Sequence, residues 1–303
     1  MEASVSSLIA LPLVFAVGAL VTAWLTRASH RRLLDQPNAR SLHHTPVPRS
    51  GGLGVIAGLA LGWLSLWAMG GTGLELLAIL PALGLVAGVS LWDDLGDVSR
   101  RLRLAVHIIA AVILGLGGLV WQGLDLPGLS FGFPAPLAWA VTILFVVWMI
   151  NLYNFMDGMD GFAGGMAVFG FGTLAVLGWR AGDPGFALTA GCVAASAAGF
   201  LTRNFPPARI FLGDVGSSVL GLLAAALSLW GTARGLFPVW VAWLAFSPFI
   251  VDATWTLLHR IIDRERVWEP HRRHHYQRLV LSGWGHRKTA LAGYLVMAGA
   301  GAC

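Results

Sequence analysis

The chain has 303 residues, 56% of them apolar and 12% charged, with Lys+Arg 20 against Asp+Glu 15 for a net charge of +5. Soluble domains carry roughly 25% charged residues, so the composition excludes an ordinary water-soluble globule and places most of the chain against lipid or protein. Two cysteines, Cys192 and Cys303, exclude a disulfide framework and a cysteine-built zinc site.

A spanning helix needs about 20 mostly apolar residues. Ten stretches qualify or nearly do: 7–25, 52–69, 74–91, 104–121, 137–155, 162–179, 186–201, 215–230, 237–258 and 289–303. The first lacks a basic leader and reads as a spanning helix rather than a cleaved signal. The loop 122–136, QGLDLPGLSFGFPAP, has the Gly and Pro content of a small hairpin and carries no chemistry. The fifth and sixth stretches almost touch, so a tight turn joins them. The tenth is short and runs into the C-terminus, which leaves room for one more helix beyond it. The expected fold is all-α: one polytopic membrane domain over residues 1–303, about ten transmembrane helices, its active site in cytoplasmic loops.

Taking 26–51 as cytoplasmic and alternating from there, 18 of the 20 Lys and Arg fall in segments 26–51, 92–103, 156–161, 202–214 and 259–288. Only Arg180 and Arg234 fall outside. This positive-inside bias orients the chain with its N-terminus external. The positive charge therefore describes one basic membrane face and requires no nucleic-acid partner. Asp93, Asp94, Asp97, Asp157, Asp160 and Asp214 all lie at cytoplasmic helix ends, whereas Glu75, Asp125 and Asp183 read as ordinary external loop carboxylates.

Four constellations stand on the cytoplasmic face. LWDDLGDVSRRLR, 91–103, ends an apolar helix on two adjacent carboxylates followed by Arg100, Arg101 and Arg103. Interfacial charges are common at such ends. Paired aspartates repel one another, though, and a cation or proton offsets that cost. Arginines beside them suit phosphate oxygens. NLYNFMDGMDGFAGG, 151–165, repeats Asn151, Asn154, Asp157 and Asp160 every third residue, a drifting polar stripe that a simple helix cap does not explain. RIFLGDVGSS, 209–218, sets Asp214 between two glycines just before an apolar helix, which suits either an N-cap or a ligand. There Phe211 is either an interface anchor or a stacking platform for a base. The loop 259–288 holds eight basic residues and five histidines. A basic loop for anionic lipid would not need His271, His274 and His275 within five residues. Carboxylates, amides, arginines and histidines on one face suit a hard divalent cation and a pyrophosphate. No Walker A or GxGxxG sequence supports ATP- or NAD-driven chemistry.

At these residues the chain resembles the polyprenyl-phosphate N-acetylhexosamine-1-phosphate transferase family. The resemblance rests on DQPNARSLHHTPVPRSGG at 35–52, DD at 93–94, NxxNxxDGxDG at 151–161, FLGDxGS at 211–217 and the late histidine loop. That loop, HRRHHYQRL, looks most like the O-antigen-initiating branch and departs from the HIHH form of the GlcNAc-1-phosphate branch. The resemblance implies transfer of an N-acetylated sugar 1-phosphate from a UDP-N-acetylhexosamine to undecaprenyl phosphate. The products would be UMP and the first lipid-linked sugar of a cell-envelope polysaccharide, made at the cytoplasmic face of a bacterial inner membrane. It implies Mg²⁺, or Mn²⁺ in its place, held by Asp214 and Asn154, with Asp157 in support. Asp93, with Asp94 beside it, would act on the lipid phosphate as base, orienting group or nucleophile. Asp160 would read uracil while Phe211 stacks on it, and Asn151 would line the substrate site. Arg101, Arg272 and His274 would meet phosphates, and His271 and His275 would line the substrate site with them. A homodimer is compatible with this reading and not required by it. Three rival readings are tested by the same residues. A transporter would place its ionisable groups near the bilayer midplane, where only Asp252 is a candidate. A polyprenyl-phosphate phosphatase would release inorganic phosphate without a nucleotide, and a mere lipid-binding scaffold would not need Asp214.

Overall fold

In lipid every backbone N–H and C=O must be satisfied within its own segment or a closed barrel, so long apolar runs fold as helices. The computed structural model describes residues 5–28, 33–35, 46–69, 75–266 and 271–303, and it places a helix at each of the ten stretches. These are α1 (Val5–Ala28), α2 (Gly51–Ala68), α3 (Leu76–Leu95), α4 (Arg100–Leu116), α5 (Ala135–Phe155), α6 (Phe162–Arg180), α7 (Pro184–Asn204), α8 (Gly213–Ala233) and α9 (Val239–Ile262), then a short α10 (His275–Leu279), a π-helical turn over Val280–Trp284, and α11 (Gly285–Ala302).

Among the described residues, eight helices are long and apolar enough to cross a membrane: α1, α2, α3, α5, α6, α7, α8 and α9. The chain is a multi-pass membrane protein. The other two expected spans differ for visible reasons. α4 is 17 residues long and opens on RRLR, so charge occupies its first turn. α11 opens on GHRK and begins four residues before the expected stretch. The all-α expectation gains two small antiparallel ribbons. β1 (Leu34–Asp35) pairs with β2 (Val47–Pro48), and β3 (Gly123–Leu126) pairs with β4 (Leu129–Gly132), the latter in the loop where a hairpin was expected. Residues 36–45 of the first-loop motif and 267–270 of the histidine loop lie outside the described residues.

The helix that positions the site is α8. It is buried along nearly its whole length and packs against α3, α5 and α2, with α6 and α9 beside it. Small residues let the neighbouring backbones come close, as they do in packed membrane helices. A methyl group on Gly52 of α2 would lie 2.4 Å from the Gly216 backbone of α8, so the start of α2 crosses the first turn of α8 at backbone contact. At the other end of α8, the Arg234 guanidinium pairs with Glu75 at 2.6 Å and with Asp183 at 3.5 Å. That pairing holds the Glu75 carboxyl below its ordinary range. Glu75 and Asp183 thus join α3, α7 and α8 at the end opposite the aspartate motifs.

Candidate functional site

A helix start leaves backbone N–H groups without partners and carries a positive dipole end. At the start of α8 those donors are met from another helix. Asp94, at the end of α3 and 1% exposed, accepts from the amides of Asp214 at 3.1 Å and Val215 at 2.9 Å, one on each carboxylate oxygen. Arg49 secures the same corner, donating to the Asp94 carbonyl at 2.8 Å. The turn is possible because residue 213 is glycine. Its φ is +77°, and a Cβ there would fall 2.1 Å from the Arg49 carbonyl oxygen. Backbone bonds from Phe211 to Pro48, from Gly51 to Phe211 and from Gly52 to Leu212 hold the FLGD segment against the entry to α2.

With its backbone so fixed, Asp214 presents its side chain to the interior of the cluster. Asn154, on the last turn of α5, donates to Asp214 Oδ1 at 2.6 Å and to Ser217 Oγ at 3.0 Å. Arg103 of α4 lies between two carboxylates. It bonds Asp93 directly and stands 3.8 Å from Asp214 Oδ2. Asp93 also accepts from the Val98 amide at 3.0 Å, which fixes the chain reversal from α3 into α4. Asp157, on the turn joining α5 to α6, completes the cluster. Loss of surrounding water holds its carboxyl well above the usual range, and the negative charges of Asp214, Asp94 and Asp160 add to that shift.

Asp160 sits on the other side of the same turn. Its Oδ2 accepts from the Ala208 amide at 3.0 Å, and His286 Nδ1 stands 3.0 Å from its Oδ1. Asn204 braces the turn, accepting from Gly161 N at 2.9 Å and donating to the Ile210 carbonyl at 2.9 Å. These bonds tie the DGMDG turn to the Phe211 segment.

The histidine loop is anchored from within the bundle. Asp252 of α9 is buried and accepts from the backbone amides of His275 at 3.0 Å and Tyr276 at 3.2 Å. The rings of His274 and His275 approach the same carboxylate at 3.3 and 3.2 Å. His274 stacks on Tyr276 with ring centroids 5.8 Å apart. The Tyr276 hydroxyl in turn donates to the Phe155 carbonyl at 3.4 Å. Tyr276 thereby links the loop to the end of α5. His271 lies against His274, with centroids 4.9 Å apart, and burial lowers its pKa to about 4, aided by the charges of His274 and Arg260.

The structure brings Asp93, Asp94, Asn154, Asp157 and Asp214 together, with Asp160 on the adjoining face of the turn. The motifs they come from are far apart in sequence. Asn151 is placed differently. One turn further into α5, its amide donates to the Val147 carbonyl at 2.7 Å and faces His107 of α4 at 3.4 Å. Arg101 is exposed, and Arg103 is the α4 arginine that reaches the carboxylates. His274 is buried, His275 is exposed, and Arg272 lies beside a cleft on the α9 side. Sequence reasoning did not select Arg49, Arg103, His286 or Tyr276 as site residues. Each nevertheless falls inside a segment already marked: the first-loop motif, the arginine cluster, the five histidines and HRRHHYQRL.

Among the described residues no three His, Cys, Asp or Glu side chains converge on one metal position. The donor set does fit a hard divalent cation held by few protein oxygens. Mg²⁺ commonly uses one or two carboxylates together with substrate phosphates, and Asp214 and the Asn154 amide stand together where a phosphate would complete the shell.

Residues 76–232 match the family described as glycosyl transferase family 4. Over 266 residues the chain is 31% identical to a probable undecaprenyl-phosphate N-acetylglucosaminyl 1-phosphate transferase of Bacillus subtilis, covering 87% of this chain and 74% of that protein. It is 30% identical to a decaprenyl-phosphate N-acetylglucosaminephosphotransferase of Mycobacterium leprae, covering 88% and 75%. It is 28% identical to an undecaprenyl-phosphate alpha-N-acetylglucosaminyl 1-phosphate transferase of Yersinia pestis, covering 88% and 76%.

Proposed function

The chain belongs to glycosyl transferase family 4, and from that premise we propose that the carboxylate cluster at the head of α8 is its active site. The enzyme is a polyprenyl-phosphate sugar-1-phosphate transferase. The acceptor is undecaprenyl phosphate and the donor a UDP-N-acetylhexosamine. The relatives named above all carry N-acetylglucosamine in their names, which makes UDP-N-acetylglucosamine the first donor to test. The product would begin an O-antigen or similar envelope polysaccharide.

In the reaction, an oxygen of the lipid phosphate attacks the phosphorus that bears the sugar. A new P–O bond forms, the P–O bond to the inner phosphate breaks, and UMP leaves. Asp214 and Asn154 Oδ1, the amide atom that Asp214 does not take, would hold Mg²⁺. When bound, that ion would offset charge on the pyrophosphate as the leaving group departs. Asp93 and Arg103 address the acceptor: the guanidinium attracts the lipid phosphate while the carboxylate orients it or takes its remaining proton. Asp94 works through the backbone, fixing where the head of α8 and therefore Asp214 stands. Asp157, held toward its protonated form by burial and its acidic neighbours, would support the metal side. Asp160 and Phe211 face the incoming nucleotide. The charge split of 18 against two supports placing this face in the cytoplasm of a bacterial inner membrane, where UDP-sugars are found.

The observation that carries this reading is Arg103 bridging Asp93 and Asp214, with Asn154 on the latter. It joins three separated motifs into one cluster of carboxylates with an arginine among them. The test is UMP release by purified protein given undecaprenyl phosphate, Mg²⁺ and a panel of UDP-sugars. Release should cease in chelator and return with Mg²⁺ or Mn²⁺. Inorganic phosphate freed from the lipid without nucleotide would mark a phosphatase instead, and full turnover in chelator would remove the metal from the scheme.

A further inference from the structure

A second basic feature lies outside the carboxylate cluster. Where α9 ends, a cleft of about 450 Å³ opens between its last two turns and the histidine loop. Its lining includes Arg260, Arg272, Arg273 and Arg278 but a single carboxylate, Asp263. Arg273 pairs with Asp263 at 3.3 Å and with Glu265 at 2.6 Å, and Arg260 pairs with Glu265 at 3.0 Å. Among the described residues, four arginines line the cleft and two carboxylates pair with them, so basic side chains outnumber acidic ones there. None of Asp93, Asp157, Asp214 or Asn154 lines it.

The approach to this cleft is apolar. Val251, Trp255, Leu258 and Ile262 of α9 are 62%, 54%, 48% and 75% exposed. Their spacing of three to four residues places them on one helix face. That face belongs to a span, and Trp255 lies at its charged end, edge-on to the His259 ring at 4.8 Å. Trp at a span's end marks the level of lipid headgroups. The molecule fitting both parts has acyl chains along the α9 stripe and a phosphate in the arginine-lined cleft. Basic pockets beside transmembrane helices on the cytoplasmic side suit anionic headgroups in this way.

We propose that this cleft is a binding site for the phosphodiester headgroup of an anionic bilayer phospholipid, separate from the two substrates. The lipid would brace the histidine loop from its outer side, because Arg272, Arg273, His275 and Arg278 come from that loop or from α10. The proposal does not depend on the transferase reading, since binding can be read without turnover.

The test uses the full chain purified into nanodiscs of phosphatidylcholine with or without phosphatidylglycerol, and native mass spectrometry to count phosphatidylglycerol retained through delipidation. Arg278→Gln should weaken retention on the order of fivefold, the effect of one surface arginine near a membrane, and Arg278→Lys should largely keep it. Trp255→Ala should also weaken it. Acceptor KM, measured by UMP release, should stay unchanged in Arg278→Gln. Equal phosphatidylglycerol retention by wild type and Arg278→Gln would overturn the proposal. So would unchanged retention with a raised KM for undecaprenyl phosphate, because the cleft would then be the acceptor's own path.

Discussion

Asp93 and Asp94 are neighbours in sequence and should fail in different ways when replaced. Asp94 is 1% exposed, and its two oxygens accept from the part-buried Asp214 amide and the buried Val215 amide at the head of α8. Asp94→Ala leaves both amides unpaired, at about 1–3 kcal/mol each, so the loss should be roughly 2–6 kcal/mol. Asp94→Asn keeps one acceptor and loses the charge, and should fall between. The Asp93 side chain is 11% exposed and its partner Arg103 is 24% exposed. A partly solvated pair of this kind contributes about 0–1 kcal/mol, and Asp93→Asn retains an acceptor for Val98. Thermal melts of the detergent-purified variants should therefore show a large drop for Asp94→Ala and almost none for Asp93→Asn. Turnover at saturating donor should fall in both, for Asp93→Asn by roughly 10²-fold or more. An Asp94→Ala protein that melts with the wild type would refute the capping argument. An Asp93→Asn protein that keeps full rate would remove Asp93 from the chemistry.

The two α4 arginines give a parallel contrast: Arg103→Gln should lower turnover by about 10²-fold, while Arg101→Gln should stay within about twofold, as UMP release would show. Phe211→Ala should raise the donor KM roughly tenfold with little change in turnover, the cost of one base-stacking contact; an unchanged KM would place the base elsewhere. The His271 pKa near 4 lies below the ordinary value of 6.5, so the unfolded loop binds its proton first as pH falls. Stability should be complete above pH 6.5 and decline toward pH 4. His271→Gln, which cannot take that proton, should show a smaller fall in melting temperature over the same interval.

The helices were legible in the sequence because lipid permits few other answers to a long apolar run. The site was legible as a set of motifs because ionisable groups at a membrane boundary are costly and seldom accidental. What the sequence did not separate was side-chain direction. Asp93 and Asp94 are indistinguishable as letters, yet about 100° of helix rotation turns one toward the cluster and the other into the bundle. The same rotation, doubled over two residues, explains why Arg103 and not Arg101 meets the carboxylates. Asn151 belongs to the three-residue stripe but drifts off it far enough to face His107. His286 and Arg49 needed long-range pairing to be recognised, since neither lies in sequence near the aspartate it serves. α4 and α11 stand apart from the eight longer apolar helices because each begins with a charged turn that lies before its apolar stretch.

The pairing of α3 with α8 is fixed at both extremities. Asp94 clasps the head of α8, and Arg234 at its tail grips Glu75 at the start of α3. Sliding or rocking of these two antiparallel helices would break the Asp94 contacts at one end and the exposed Arg234–Glu75 pair at the other. Alternating-access transport needs such rocking, so the pair behaves as a stator. α9 and α10 are tied to the end of α5 through the Asp252 and Tyr276 contacts, and α11 to the turn after α5 through His286 with Asp160 and Tyr294 with the Gly161 carbonyl. Cross-linking the Glu75 and Arg234 positions through paired cysteines should leave turnover intact, since the two ends already meet there.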